Sequence, residues 1–324
     1  MDPATARLRA SAPPRTSASM AGVNENRNSS LVHSRAVHAF PESVTLARGL
    51  ARSLGTRFAS VSVHQFPDGE TLVRVKPSTG ALAILVQCLH NPNAKLIPTL
   101  LASDALRRSG AERVILVVPY LPYMRQDAVF RPGEPLSQSV IAGSLGRSFD
   151  HIVTIEPHLH RTPRLSDVFP CSAHAVSAAP ILARWIERTG RGSLVVGPDE
   201  ESAPWIRAIA DLAKLPWVVG RKERLGDHRV RIQFPALPKC SRAVIVDDIA
   251  SSGGTLSVAA RALHREGIST IDAAVVHAIF APNAVSRIRA AGIRKLVSCD
   301  TIPHETNAIR SLAMLTSALR QLLT

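Results

Sequence analysis

Short apolar runs alternate with amphipathic helical segments along most of this chain, and that alternation constrains its fold more than any other feature. Runs such as ALAILVQC (81–88) and RVILVVP (113–119) are typical of strands that are buried on both faces of a sheet. Apolar residues at helical spacing recur between such runs, as in VTLARGLARSLG (44–55). The pattern predicts an α/β fold of two doubly wound parallel-sheet domains, with ligands at the carboxyl ends of the strands.

The domain limits follow from the same pattern. Residues 1–33 are rich in Ser, Ala, Pro and Arg, lack apolar periodicity, and are expected to form a disordered tail. We expect an N-terminal α/β domain at 34–168 and a C-terminal α/β domain at 169–306. Residues 307–324 are expected to form a C-terminal helix that packs back on the N-terminal domain.

Composition limits the classes of partner. The net charge of +14 favours anionic ligands, but the basic residues are mostly dispersed arginines and only 4% of residues are aromatic. Nucleic-acid binding is therefore not expected, whereas a small, highly phosphorylated ligand accounts for the charge. Because the sequence lacks an uncharged apolar run of about eighteen residues, a membrane partner is not expected either.

The cysteines bear on the compartment. Cys88, Cys171, Cys240 and Cys299 are far apart and lack metal-ligand spacing. This pattern favours a reduced, cytoplasmic protein with free thiols over a disulfide framework.

The stretch VIVDDIASSGGTL (244–256) carries the strongest functional signal. It predicts a strand that ends in Asp247 and Asp248, then a loop, then a helix. Backbone N–H groups of a small-residue loop and a helix N-terminus attract an anion, and the two carboxylates suit sugar hydroxyls or a metal ion. The hydroxyls that could donate to a phosphate belong to Ser251, Ser252 and Thr255. An ordinary capped turn would use similar residues, while the missing Lys excludes a Walker loop.

This stretch resembles the phosphoribosyl-diphosphate loop of type I phosphoribosyltransferases and ribose-phosphate pyrophosphokinases. The resemblance implies that Asp247 and Asp248 hold the ribose hydroxyls. The residues it implies for the 5-phosphate are Ser251, Ser252, Gly253, Gly254 and Thr255. Many members carry an acid in place of Ser251, although archaeal-type members can carry Ser.

Two further motifs resemble the ATP-binding segments of the ribose-phosphate pyrophosphokinases, and QDAVFRPGEPLS in the second of them is most similar to the archaeal-type subgroup. FPDGETLVRV (66–75) resembles the flag, a β-hairpin that reaches into the ATP site of a neighbouring subunit. VVPYLPYMRQDAVFRPGEPLS (117–137) resembles the family's strand-to-loop segment that binds ATP. The ATP-binding residues that this resemblance implies are Phe66, Asp68, Gly69, Glu70, Arg125 and Gln126. In isolation, a Pro-Asp-Gly turn and a solvated loop would explain the two motifs.

Three more motifs resemble the metal-binding and catalytic segments of that family. TIEPHLH (154–160) and VVGPDEES (195–202) imply that His158 and Asp199 are linked to Mg²⁺, an ion that needs few protein ligands. GRKERLG (220–226) resembles the catalytic flexible loop. The catalytic residues it implies are Lys222 and Arg224, which would lie over the reacting phosphates.

The resemblance extends over about residues 36–322 and implies a ribose-phosphate diphosphokinase. Such an enzyme transfers the β,γ-diphosphoryl group of ATP to the C1 hydroxyl of ribose 5-phosphate, with Mg²⁺ as cofactor, in a homo-oligomer (a dimer or a multiple of dimers) with a shared ATP site. One alternative is a phosphoribosyltransferase, which would need a nucleobase-binding hood. The other is a non-catalytic, synthetase-associated regulatory subunit, which need not retain Lys222, Arg224, His158 and Asp247.

Overall fold

The computed structural model describes residues 35–76, 80–159, 161–190, 192–224 and 230–324, without the side chains of Arg224 and Val230. The tail expected at 1–33 lies outside the described residues. Among those that are described, no helix has the length and apolar character needed to cross a membrane.

The first half of the chain contains one parallel sheet and one hairpin. Its strands are β1 (Arg35–Ala39), β2 (Arg57–Ser60), β3 (Ser62–Gln65), β4 (Thr71–Arg74), β5 (Leu82–Val86), β6 (Arg113–Val118), β7 (His151–Ile155) and β8 (Ser172–Val176). Its helices are α1 (Val44–Leu54), α2 (Asn93–Arg108) and α3 (Ser137–Ser148). Six strands form the sheet in the order β2-β1-β5-β6-β7-β8, all parallel, and β3 pairs with β4 in an antiparallel hairpin.

The second half repeats this architecture. Its strands are β9 (Leu194–Gly197), β10 (Trp217–Val219), β11 (Arg221–Arg224), β12 (Val230–Gln233), β13 (Arg242–Ala250), β14 (Thr270–Ala278), β15 (Ile293–Cys299) and β16 (Asn307–Ile309). Its helices are α4 (Ala179–Thr189), α5 (Ala203–Ala213), α6 (Gly254–Arg265), α7 (Ala284–Ala290) and α8 (Leu312–Leu323). The parallel sheet has the order β10-β9-β13-β14-β15-β16, and β11 and β12 form a separate antiparallel ribbon.

The two sheets confirm the predicted fold class and the physical argument behind it. All five residues of β5 are buried, as expected for a strand covered on both faces. Helix α1 ends at Gly55, whose φ of 63° is the left-handed conformation that glycine adopts most readily at a helix end. The apolar runs form strands because both faces of the sheet are covered. The segments with apolar residues at helical spacing form helices because only one face of each helix packs against the sheet.

The composition of the sheets bears on the domain partition. Strand β8 pairs with β7 in the first sheet, although it lies beyond the expected limit at residue 168. Strand β16 pairs with β15 in the second sheet, just after the expected limit at residue 306. The domain limits themselves remain a prediction.

One hydrophobic core joins the two sheets. The same buried cluster contains Ile84 of the first sheet, Leu182 of α4, Val244 of the second sheet and Leu315 of α8. Helix α8 lies against α1, where the Arg320 guanidinium donates a hydrogen bond to the Ser53 carbonyl at 2.7 Å. Because the core is continuous, residues beyond the carboxyl ends of both sheets can build one site.

Candidate active site

The strand order of the second sheet creates a crevice between β9 and β13. The chain runs from β9 outward to β10 and later returns to place β13 on the other side of β9. Ligands of open α/β sheets bind at such a reversal of strand order, beyond the carboxyl ends of the strands. Asp199 follows β9, and Asp247 and Asp248 lie near the end of β13. The three predicted carboxylates therefore meet where the topology provides a binding crevice.

Strand β13 is longer than expected. The sequence predicted a strand that ends at Asp248 and a turn from Ile249 onward, but the strand continues to Ala250. The neighbouring strand β14 accounts for the extension, since its residues pair with Ile249 and Ala250. The two carboxylates thus project from a paired strand and not from a loop.

A cavity of about 480 Å³ opens at the carboxyl ends of the strands. The sequence-predicted residues that line it are Arg125, His158, Asp199, Lys222, Asp247, Asp248 and Thr255. Arg125 and His158 follow strands of the first sheet, whereas the other five belong to the second half. The cavity is therefore shared between the two halves of the chain.

Like charges are concentrated around Asp247. Burial, followed by the nearby carboxylates of Asp248 and Asp199, raises the pKa of Asp247 well above its ordinary value. The ammonium group of Lys222 opposes this shift, and its Nζ lies 3.8 Å from Oδ2 of Asp199. The carboxyl oxygen Oδ1 of Asp247 accepts a hydrogen bond from the backbone N–H of Asp248 at 3.1 Å. Additional positive charge at this position would reduce the repulsion between the three carboxylates.

The crowded carboxylates fit a divalent cation that arrives with its substrate. Within the described residues, no group of three or more His, Cys, Asp or Glu side chains is assembled as a ready-made metal cage. Mg²⁺ commonly uses one or two carboxylates and completes its shell with phosphate oxygens and water. A site whose acids repel one another suits an ion of this kind better than a metal held by protein alone.

The turn after β7 brings His158 to the second half. His158 Nδ1 lies 2.5 Å from Oδ2 of Asp248, so the two predicted site residues contact each other across the cavity. Glu156 has φ of 36° and His158 has φ of 57°, values that are uncommon for residues other than glycine. The carboxyl oxygen Oε1 of Glu156 accepts hydrogen bonds from the Ser177 hydroxyl and the Ala178 N–H, each at 2.7 Å. These bonds hold the turn in a strained conformation.

Glu156 and Ser177 also line the cavity, and the sequence argument missed both. The available signal was position, since Glu156 follows a buried strand directly and Ser177 follows the next strand of the same sheet. Burial raises the pKa of the Glu156 carboxyl, while its bonds to Ser177 and Ala178 oppose that shift. Glu156 therefore shapes the wall of the cavity through its bonds to the start of α4.

The predicted phosphate loop occupies the start of α6. Gly253 has φ of 74°, and a Cβ there would lie 2.7 Å from Ile288 Cγ1 and 3.2 Å from the Ala284 carbonyl oxygen. Glycine is therefore required both by the backbone conformation and by the space. Thr255 lines the cavity, whereas Ser251, Ser252, Gly253 and Gly254 precede it without lining the cavity. The predicted phosphate roles of all five residues remain predictions.

The flag forms a hairpin that lies apart from the cavity of its own chain. Strands β3 and β4 pair in the register Gln65 to Thr71, and the N–H of Phe66 donates to the Glu70 carbonyl at 2.8 Å. The Phe66 side chain is 40% exposed. None of the four flag residues predicted to bind ATP lines the described cavity; they are Phe66, Asp68, Gly69 and Glu70. Their ATP-binding role remains a prediction.

The two neighbouring residues Arg125 and Gln126 have different surroundings. Arg125 lines the cavity, but Gln126 does not, and its Oε1 accepts a hydrogen bond from the Ser137 hydroxyl at 2.5 Å. The next residue, Asp127, is held by Arg161 Nη1 at 2.8 Å. The segment is thus fixed from two sides, with Arg125 as its contribution to the cavity.

The segment predicted as a flexible loop is in part a strand. Lys222 lies in β11, opposite Ile232 of β12, and its side chain lines the cavity. Arg224 is the last residue of β11, and only its backbone is described. Its side chain and residues 225–229 lie outside the described part of the chain. Antiparallel pairing with β12 replaces the expected loop at Lys222, because the pairing satisfies the backbone groups that face the partner strand.

Comparisons with known proteins agree with this geometry. A family model described as the N-terminal domain of ribose phosphate pyrophosphokinase matches residues 36–148, and a phosphoribosyl transferase domain model matches residues 176–303. A ribose-phosphate pyrophosphokinase of Methanopyrus kandleri is 36% identical, over 83% of this chain and 92% of the relative. One from Thermococcus kodakarensis is 33% identical, over 80% of this chain and 91% of the relative.

A solved structure shares the fold. The phosphoribosylpyrophosphate synthetase of Mycobacterium smegmatis superimposes with a TM-score of 0.77 at 23% identity, over 89% of this chain and 98% of that one. At this identity the likeness supports the two-sheet architecture described above.

Gly253→Ala tests the geometry of the loop before α6. We expect a loss of about 1–3 kcal/mol in the free energy of unfolding, because the new Cβ meets backbone and side chain at a positive φ. Gly254→Ala is the matched control, since its Cβ would meet only the Ser252 hydroxyl at 3.5 Å and should change stability by less than about 0.5 kcal/mol. Equal denaturant midpoints for the two variants would contradict the assigned conformation.

Asp247→Asn tests the repulsion between the carboxylates. An acid whose pKa is raised by folding lowers stability as pH rises above its unfolded pKa of about 3.9. Asn keeps an acceptor for the Asp248 N–H but carries no charge. In the absence of divalent cations, the variant should therefore have a higher melting temperature than the parent at pH 7. The difference in melting temperature should vanish as the pH falls toward about 4.

The control for that measurement lies outside the cavity. Asp272→Asn removes a buried carboxylate whose Oδ2 pairs with Arg294 at 2.6 Å, and it should lower the melting temperature. A lower melting temperature for Asp247→Asn at pH 7 would show that the charge of Asp247 is compensated in the free protein.

Proposed function

The chain belongs to the ribose-phosphate pyrophosphokinase family, and we infer that it transfers the β,γ-diphosphoryl group of ATP to the C1 hydroxyl of ribose 5-phosphate. The products are 5-phosphoribosyl 1-diphosphate and AMP. The observation that carries this function is the cavity to which both halves contribute: Arg125 and His158 from the first, Asp247 and Lys222 from the second. A transfer between two substrates requires both to be held in one site, and this cavity offers each of them its own set of side chains.

The second half is proposed to bind ribose 5-phosphate. Asp247 and Asp248 accept hydrogen bonds from the ribose 2- and 3-hydroxyls, as carboxylates at the edge of a cavity can. The loop from Ser251 to Thr255 binds the 5-phosphate through hydroxyls, backbone N–H groups and the N-terminus of α6. The left-handed conformation of Gly253 supports this role, because it lets the backbone turn sharply into the helix.

The first half is proposed to bind ATP. Arg125 forks onto phosphate oxygens in the cavity, and Gln126 contacts the nucleotide beside it. The flag residues Phe66, Asp68, Gly69 and Glu70 belong to the ATP site of a neighbouring subunit, with Phe66 stacked on adenine.

Exposed apolar side chains support a homo-oligomer with shared ATP sites. Val63 and Leu72 of the hairpin are 42% and 45% exposed, and Ile97 of the adjacent helix α2 is 58% exposed. A second copy of the chain would cover such a surface. We place the enzyme in the cytoplasm because its four cysteines are free thiols.

His158 and Asp199 are proposed to hold Mg²⁺ at the cavity. When bound, Mg²⁺ neutralises the charge of the ATP phosphates and fixes their orientation. Asp248 contacts His158 Nδ1 and so orients the imidazole. The raised pKa of Asp247 supports the same placement, since burial and then the carboxylates of Asp248 and Asp199 raise it, and a cation would offset both effects.

Lys222 is proposed to meet the negative charge that spreads over the transferring diphosphoryl group. Its ammonium lies 3.8 Å from the Asp199 carboxylate, at the wall of the cavity. Arg224 is proposed to assist from the end of the same strand. The C1 hydroxyl of the sugar attacks the β-phosphorus of ATP, and AMP leaves. The side-chain cations of Lys222 and Arg224 stabilise the transition state electrostatically.

The decisive assay for the function measures AMP formation from ATP with and without ribose 5-phosphate. We expect AMP to form only with the sugar phosphate present. A phosphoribosyltransferase would instead consume 5-phosphoribosyl 1-diphosphate with a nucleobase, and a regulatory subunit alone would form no AMP.

Lys222→Ala tests the electrostatic role. The interaction is made mainly in the transition state, so turnover should fall at least about a hundredfold while ATP binding and melting temperature change little. Arg221→Ala is the control, because Arg221 is exposed and adjacent residues of a strand face opposite sides. Near-normal turnover of Lys222→Ala would remove Lys222 from the mechanism.

Mixing Phe66→Ala with Lys222→Ala tests whether the flag acts between subunits. In a dimer with two composite sites, the mixed dimer has one site with both defects and one with neither. Activity should therefore return toward about half of the parent value in each mixed dimer. If verified subunit exchange restores none, the flag serves its own chain.

A further inference from the structure

His277 is a buried histidine of the second sheet that hydrogen-bonds to the first. It lies near the end of β14 and is only 1% exposed. Its Nε2 lies 3.0 Å from the carbonyl oxygen of Ile155 and 3.1 Å from that of Glu156, at the end of β7. Since a carbonyl oxygen can only accept, Nε2 carries the hydrogen. The imidazole therefore binds the backbone directly before His158.

Thr301 fixes the other nitrogen of this ring. The Thr301 hydroxyl donates to the Val276 carbonyl oxygen at 2.8 Å, and its oxygen lies 2.9 Å from His277 Nδ1. Burial lowers the pKa of His277 to about 4, which leaves the imidazole neutral at pH 7. A neutral ring with its hydrogen on Nε2 accepts at Nδ1. The carbonyl oxygens of Ile155 and Glu156 thus select the tautomer that reaches the first sheet, and the Thr301 hydroxyl lies against the other ring nitrogen.

The same pair makes two more contacts with the first half. The Cys88 thiol, just beyond β5, donates to the Thr301 carbonyl at 3.1 Å. The Tyr120 ring, just beyond β6, packs edge-on against the His277 ring with centroids 5.1 Å apart. Residues after three neighbouring strands of the first sheet therefore contact His277 or Thr301. The link lies in the buried seam between the sheets and touches no residue of the phosphate loop.

The backbone that His277 holds is strained. Glu156 and His158 both have positive φ, and such conformations persist only where the surroundings fix them. Ser177 and Ala178 bind the Glu156 side chain, whereas His277 binds the main chain. Without the His277 donor, two carbonyl groups at this turn would lose a shared partner in a buried seam.

We propose that His277 is a positioning residue for diphosphoryl transfer, whose Nε2–H holds the turn at residues 155–158 so that His158 meets Asp248. The inference rests on the proposed function of the cavity. His277 does not line the cavity. It sets where the metal-linked side of the site lies relative to the carboxylates that bind the sugar.

The test compares His277→Leu, which removes the donor, with His277→Gln, whose amide places an N–H near the position of Nε2. We expect His277→Leu to lower turnover and to raise the Mg²⁺ concentration for half-maximal activity, each by about 10–100-fold. The KM for ribose 5-phosphate should stay within about twofold, because the His277 side chain bonds to the first-half turn and to Thr301, and not to Asp247 or the phosphate loop. His277→Gln should recover most of the lost turnover.

Hydrogen exchange of the ligand-free protein supplies a readout that needs no activity. Amides of residues 152–159 should exchange faster in His277→Leu than in the parent or in His277→Gln, while those of β6 keep their rates. Thr301→Val removes the hydroxyl that contacts Nδ1 and holds the ring in place, and it should give the same local effect if His277→Leu does not fold.

The outcomes separate this inference from the function itself. If the parent enzyme forms AMP and His277→Leu is fully active, the positioning role is overturned and the function stands. The same conclusion follows if the parent forms AMP and Thr301→Val leaves the exchange rates unchanged. Exchange that rises throughout the chain, with turnover and every KM altered together, also overturns it in favour of a general structural role. If the parent forms no AMP, the proposed function fails, and the exchange rates at 152–159 alone decide whether His277 holds the turn.

Discussion

Repulsion between carboxylates at the crevice of the second sheet is the constraint on which the site depends. Asp247 is surrounded by Asp248 and Asp199, and burial removes the water that would otherwise screen them. Lys222 offsets only part of this repulsion, at 3.8 Å from Asp199. A site of this kind is less stable empty than it would be with a neutral lining. The same property favours binding of a cation together with an anionic substrate, because the cation offsets the repulsion between the carboxylates and the negative charge of the substrate.

The fold supports that arrangement by fixing the two halves to each other. Ile84, Leu182 and Val244 lie in one buried cluster that spans both sheets, and helix α8 returns from the second half to α1. Above this core, the bond from His158 to Asp248 crosses the cavity itself. The apolar core sets the coarse distance between the sheets, while polar contacts at the seam set the angle of individual turns. The site is therefore a product of tertiary packing more than of any one loop.

The sequence predicts the fold class and the strand-end positions of the site residues because both depend on local patterns. Apolar runs identify the strands, and the carboxylates at the end of one of them identify Asp247, whereas His158 and Asp199 are predicted only by the resemblance of their segments to family motifs; all three line the cavity. Other features depend on contacts between distant residues. His277 reaches the Glu156 carbonyl across 121 positions of sequence. The positive φ of Glu156 likewise has no sequence signal, because it is imposed by partners and not by the residue type.

The division of the cavity between two sheets has a consequence for how the reaction is aligned. Asp247, Asp248 and the loop proposed to bind the sugar phosphate belong to the second half, whereas Arg125 and the turn that carries His158 belong to the first. In-line transfer needs the attacking oxygen and the phosphorus within about 3–3.5 Å, and a misplacement of about 1 Å can reduce the rate about a hundredfold. A rotation of one sheet against the other would move one substrate relative to its partner without altering either binding site. Contacts buried in the seam between the sheets should consequently affect turnover more than substrate binding, which is the opposite of what is expected for residues that contact a single substrate.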